Sequence, residues 1–256
     1  MTSRTPSLAS RLRAGETIVT AWSSLAVPIV AELCARAGYE GVMLDMQHGF
    51  HDIASVRDGI AAARLGGAHP VVRTPVDDFA NVSRAFDLGA EAVIVPMINT
   101  PEDALALVAA AKYPPLGARS WGPHRGAMLA GLTPPEYLAA ANSETIAFAM
   151  VETPAALAAL DEILAVEGLD AVFVGPGDLS LTLSEGKGLA PSSDEVQGHA
   201  ADIAARAKAA GKLAGIFCNT AADAIRAREM GYGYIAYGVD MAMFLDEAAR
   251  KRAEIG

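Results

Sequence analysis

The chain has 256 residues, a formal net charge of −10, and 52% hydrophobic against 20% charged residues. That much apolar material builds a large core and excludes a disordered chain. The acidic balance, with no basic block to offset it, excludes nucleic acid and anionic membrane surfaces as partners. Cys34 and Cys218 lie far apart and outside any CxxC spacing, which excludes a disulfide framework and a cysteine zinc site. No apolar run reaches the roughly 20 residues that a membrane span requires, so a soluble, unprocessed cytoplasmic protein is expected.

In chain order, residues 1–16 read as a lead-in with a turn or two of helix, closed by Gly15. Residues 17–22 (TIVTAW) form a short buried strand, followed by an apolar-periodic helix from Pro28 through Ala37 that stops at Gly38. The unit repeats. Strands are expected at 42–46, 71–73 and 92–96, with helices at 52–65, 78–88 and 101–111, the last opened by a first-turn proline. Residues 113–142 break the rhythm with five prolines and several glycines and read as a long loop, a lid or an interface element. Strands resume at 146–153 and 171–174, then at 213–217 and 234–237, with helices at 154–166, 194–210, before Met230, and from Asp240 onward. Eight such repeats without a linker predict a single (β/α)₈ barrel over the whole chain, with an open doubly wound sheet as the lesser alternative.

In a parallel α/β fold, carboxylates at the C-terminal mouths of strands are where chemistry sits. The stretch DAVFVGPGDLS ends a strand in a Gly-Pro-Gly turn that delivers Asp178, and IAFAMVET ends in Glu152 one unit upstream. Adjacent strands lie about 4.8 Å apart, so the two carboxylates would repel unless a cation sits between them. Oxygen ligands without thiols or clustered histidines favour Mg²⁺ or Mn²⁺, with Co²⁺ also admissible, and leave positions open for a chelating 2-oxo acid. The plainer alternatives are an N-terminal helix carboxylate for Glu152 and a turn aspartate for Asp178.

Asp45 and His48 share the turn DMQHGF, where an aspartate can orient an imidazole that moves protons near pH 7. Of the other histidines, His51 and His69 lack such a context, His124 lies in the long loop and His199 in a helix. Arg73 follows a buried strand, either to stabilise an oxyanion or to pair with Asp45 or a neighbouring loop acid. None of the five lysines ends a strand, which disfavours Schiff-base chemistry. GxGxxG and Walker sequences are absent, and the turns after strands seven and eight form no strong phosphate cradle.

These residues resemble the metal-dependent, class II pyruvate aldolases of the HpcH/HpaI type. The marks are Trp22, the Asp45-x-x-His48-Gly49 turn, Val72-Arg73, Val95-Pro96, Glu152-Thr153, the run from Gly175 to Ser180, and Gly238-Val239-Asp240. The resemblance covers nearly the whole chain. It implies metal ligation by Glu152 and Asp178, a catalytic dyad of His48 and Asp45, and Arg73 at the substrate carbonyl. Trp22, Gly177 and Phe217 are expected to touch substrate. It implies cleavage of 4-hydroxy-2-oxo acids to pyruvate or hydroxypyruvate and an aldehyde, by a homo-oligomer, a trimer or a hexamer, with a swapped C-terminal helix. Gln47, where the pattern often has Glu, and the segment 117–126 with Arg119, Trp121 and Arg125 depart from the best-known members. A CoA-ester lyase of the malyl or citryl kind and a catalytically silent oxo-acid-binding barrel are the alternatives.

Overall fold

The computed structural model describes residues 6–256. Eight parallel strands close into a barrel in sequence order, the eighth pairing back on the first, so the open-sheet alternative is excluded. The strands are β1 (Ile18–Ser23), β2 (Gly41–Asp45), β3 (His69–Arg73), β4 (Ala92–Val95), β5 (Ile146–Val151), β6 (Ala171–Val174), β7 (Leu213–Cys218) and β8 (Tyr234–Val239). All residues of β2 to β6 are buried, as near-continuous apolar runs in a helix-covered parallel sheet must be.

Before β1 stands α1 (Leu8–Arg13), capped by the Ser7 hydroxyl. Its Leu8 and Leu12 join Met43, Ile94, Phe148 and Phe173 inside the barrel, so the lead-in closes one end of the core. Around the barrel run α2 (Pro28–Arg36), α3 (Ile53–Gly66), α4 (Phe79–Leu88) and α5 (Pro101–Ala111). Local signals set their ends: Asp52 caps α3 in a reciprocal box with Ser55, Thr100 does the same with Asp103 for α5, and left-handed Gly67 and Gly89 stop α3 and α4.

Residues 113–142 are not the long loop that their prolines and glycines suggest. They hold α6 (His124–Ala130) and most of α7 (Pro134–Glu144). Pro134 occupies the first turn, where no N–H is needed, and Thr133 and Glu136 form a capping box. The irregular remainder is pinned by Asn142, whose side chain bonds both the N–H and the carbonyl of Tyr113, and by Arg119, which is buried against Asp87.

Next come α8 (Pro154–Ala158) and α9 (Leu160–Leu164), where the sequence suggests one helix; Ala159 closes the first and opens the second. After β6 a further helix, α10 (Pro176–Leu183), begins where a turn is expected. Then follow α11 (Asp194–Ala209), α12 (Ala221–Glu229) and α13 (Asp240–Ala253). Among the described residues no helix is long and apolar enough to cross a membrane.

Candidate active site

The register of β2 on β3 sets Asp45 beside Arg73 at the C-terminal ends of both strands. Their side chains meet in a buried two-point contact, Arg73 Nε donating to Oδ1 at 2.9 Å and Nη2 to Oδ2 at 2.6 Å. Trp22 Nε1 also donates to Oδ2 at 3.1 Å, and the Arg73 guanidinium carbon lies 4.5 Å from the centre of the Trp22 ring. The backbone N–H groups of Gln47 and His48 donate to Oδ1 at 3.0 and 3.3 Å. Burial works to raise the Asp45 pKa, but the Arg73 hydrogen bonds and charge, with the two backbone donors, hold it below the ordinary carboxylate range.

This geometry redraws the expected dyad. Asp45 reaches His48 at its backbone N–H, not at its imidazole, because its oxygens are already occupied by Arg73, Trp22 and the turn. Pairing with Asp45, the plainer alternative for Arg73, is formed, yet Arg73 still faces the cavity.

Across the barrel, Val151 of β5 pairs with Val174 of β6, which places Glu152 beside Gly175. Gly175 is required there: a Cβ would overlap the Glu152 carboxylate. Glu152 is buried. Its Oε1 accepts the Met97 N–H at 2.9 Å, while Oε2 is buried with no hydrogen-bond partner. Burial lifts the Glu152 pKa to about 7, opposed by the Met97 N–H and assisted by the charge of Asp178, with Arg73 pulling the other way. Met97 holds a left-handed φ of 58°, a conformation that costs a non-glycine residue about 1–3 kcal/mol. Asn99 Nδ2 holds the Met97 carbonyl, and the Thr153 hydroxyl bonds Asn99, so this strained turn is tied to the Glu152-Thr153 pair.

Asp178 lies in the first turn of α10, half-buried, rather than in a free turn. Pro176 at the helix start needs no N–H partner, and a first-turn carboxylate complements the helix dipole.

One cavity of about 260 Å³ brings these groups together: Trp22, Asp45, His48, Arg73, Gly177, Asp178 and Phe217 all line it. Glu152 sits behind Gly175, another lining residue. Trp22 and Phe217 form an edge-to-face wall with ring centres 5.0 Å apart. No lysine lines the cavity, and neither does any residue of 113–142. Sequence reasoning missed Ser24 and Met150 on the lining and Met97 behind it, and gave Val239, also on the lining, no role. Position directly after a strand was the available signal for Ser24 and, beyond Pro96, for Met97.

A carboxylate oxygen buried without a donor, next to a second carboxylate, suits a hard divalent cation. The model of the HpcH/HpaI aldolase/citrate lyase family matches residues 19–246. The chain belongs to this family. The hydroxypyruvate/pyruvate aldolase of Rhizorhabdus wittichii is 40% identical, covering 93% of this chain and 93% of its own. The 4-hydroxy-2-oxovalerate aldolase of Novosphingobium aromaticivorans is 36% identical over 93% of this chain and 90% of its own. A solved HpcH/HpaI aldolase/citrate lyase family protein from Burkholderia cenocepacia J2315 superposes with a TM-score of 0.87 at 32% identity, covering 98% of this chain and 99% of the other. The HpcH/HpaI match runs from β1 into α13 and so includes every site residue described above.

Proposed function

We propose that this chain catalyses reversible aldol cleavage of 4-hydroxy-2-oxo acids into pyruvate or hydroxypyruvate and an aldehyde, with Glu152 and Asp178 holding Mg²⁺ or Mn²⁺. The observation that carries the reading is the buried, unpartnered Glu152 Oε2, which lies behind Gly175 of the cavity wall and feels the charges of Asp178 and Arg73. The similarity to a hydroxypyruvate/pyruvate aldolase and to a 4-hydroxy-2-oxovalerate aldolase supports it. When bound, the cation supplies Lewis-acid polarisation of the 2-oxo group.

The chain's own residues supply the rest. Asp45 occupies Nε and Nη2 of Arg73, which leaves Nη1 for the substrate's C2 oxygen as that oxygen becomes anionic. Because the guanidinium is clamped by Asp45 and stacked on Trp22, it needs no rearrangement when the charge develops. His48 takes the C4 hydroxyl proton as the C3–C4 bond breaks; the bond's electrons form the enolate, which collects a proton at C3. Trp22 and Phe217 exclude water on one side.

The assembly is part of the reading. In α13 only Asp240 is buried, while Phe244 and Leu245 are 68% and 59% exposed. On α2, Ile29 and Leu33 are likewise exposed. Exposed apolar side chains on these two helices support a homo-oligomer in which α13 packs on a second copy.

Incubation with 4-hydroxy-2-oxovalerate and Mn²⁺ should release pyruvate, read by coupling to lactate dehydrogenase. Borohydride with pyruvate should leave all five lysines unmodified. Pyruvate binding without turnover of any 4-hydroxy-2-oxo acid would show a silent binding barrel instead, and a reduced pyruvyl-lysine adduct would show imine chemistry.

A further inference from the structure

His51 is a buried titratable group that the mechanism above does not use, and the terminal Gly238-Val239-Asp240 motif has no role in it either. The structure joins them. The Ser23 hydroxyl donates to Asp240 Oδ2 at 2.9 Å, and His51 Nε2 lies 3.2 Å from the same Ser23 oxygen. Asp240, buried at the start of α13, also accepts the backbone N–H groups of Ser24, Leu25 and Met241 at 2.9, 3.1 and 2.7 Å. The other ring nitrogen, Nδ1, faces the Ser55 hydroxyl at 3.2 Å.

The direction of these bonds follows from the carboxylate. Asp240 can only accept, so it claims the Ser23 hydroxyl proton, and the Ser23 oxygen is left to accept from His51. His51 is therefore held with its proton on Nε2, and one carboxylate orders a chain from β1 through the loop between β2 and α3.

That loop carries His48. The Phe50 N–H donates to the Ser24 carbonyl at 2.8 Å. A Cβ on Gly49 would lie 3.1 Å from the Ser24 Cα and closer still to the Asp45 carbonyl oxygen, so the loop rests on β1's end without slack. The His48 imidazole makes no side-chain hydrogen bond among the described residues, so its place at the cavity is set by the backbone on either side. Asp45 fixes one side; His51 fixes the other.

We propose that His51 is a positioning residue: through Ser23 and Asp240 it locks the 45–51 loop against Ser24 and so presents His48 to the substrate. This rests on His48 as the base of the proposed aldolase. The substitutions to compare are His51→Leu, His51→Gln and Ser23→Ala, assayed with 4-hydroxy-2-oxovalerate and Mn²⁺ and each solved as a crystal structure.

In His51→Leu and Ser23→Ala, kcat should fall up to about 10²-fold, the scale of a 1 Å misplacement, with KM nearly unchanged. His51→Gln keeps a donor toward Ser23 and should recover most of the loss. A kcat unchanged in His51→Leu, or Gln as poor as Leu, overturns the proposal. The crystal structures decide separately: residues 48–51 should leave Ser24 in His51→Leu and stay in His51→Gln. An undisturbed loop in His51→Leu overturns the positioning role even if the wild type turns over no hydroxyoxo acid, a result that would strike the aldolase reading instead.

Discussion

Arg73 and Asp45 lie side by side at the ends of β3 and β2, bound at two points, 2.9 Å and 2.6 Å, in a buried setting. The barrel's register, not a loop, makes this pair. The charged fork that lines the cavity is thus anchored to the sheet itself.

Removing one partner strands the other. Asp45→Asn should destabilise the fold by about 3 kcal/mol at pH 7, because it leaves a buried guanidinium without its counter-charge. The folded pKa of Asp45 is depressed, so its stabilisation is present above the ordinary value of 3.8 and is lost as pH falls through the folded value. Urea melts should therefore show the gap between wild type and variant narrowing below pH 3.8. A gap that widens in acid would contradict the pairing.

Arg73→Lys keeps the charge but loses the fork. Loss of one well-placed oxyanion donor costs about 10²-fold in rate, so kcat should fall on that scale while metal affinity stays near wild type. If KM rose instead with kcat unchanged, Arg73 would act in ground-state binding.

Glu152 makes the metal-free protein pH-sensitive. Its folded pKa, about 7, is raised from 4.5, so its contribution to stability is fully present below 4.5 and is lost as pH rises through 7. In chelator, Glu152→Gln should melt close to wild type at pH 4.5 and well above it at pH 8, by an amount on the order of 3 kcal/mol. Equal melting temperatures at both pH values would show that Glu152 is not a desolvated carboxyl.

The exposed face of α13 gives a separate test. Phe244→Glu with Leu245→Glu should shift the proposed homo-oligomer to a smaller species in sedimentation velocity, since both side chains stand in solvent within one chain. An unchanged sedimentation coefficient would remove α13 from the interface.

The eight strands were legible because each is a short apolar run bounded by glycine, proline or a capping residue; Asp45 and Arg73 end such runs, Glu152 directly follows one, and Asp178 stands past the Gly-Pro-Gly that follows another. The helices α6, α7 and α10 were not. Pro134 and Pro176 stand at first-turn positions that helices tolerate, yet in sequence they look like breakers. His51 carries no local signal because Ser23 lies 28 positions from it and Asp240 lies 217 positions from Ser23, a link made where β8 closes on β1. The same holds for Asp45, whose nearest sequence partner, His48, lost its carboxylate to Arg73 across the sheet.

The proposed carbon–carbon cleavage depends on a cation held by Glu152 and Asp178. The direct measurement is pyruvate release from 4-hydroxy-2-oxovalerate by chelator-treated enzyme as Mn²⁺ is added back, in wild type and in Glu152→Ala. Activity of the wild type should rise from baseline and saturate with Mn²⁺, while Glu152→Ala, folded by circular dichroism, should stay at baseline. Full activity of Glu152→Ala in metal-free buffer would show that cleavage needs no cation at Glu152.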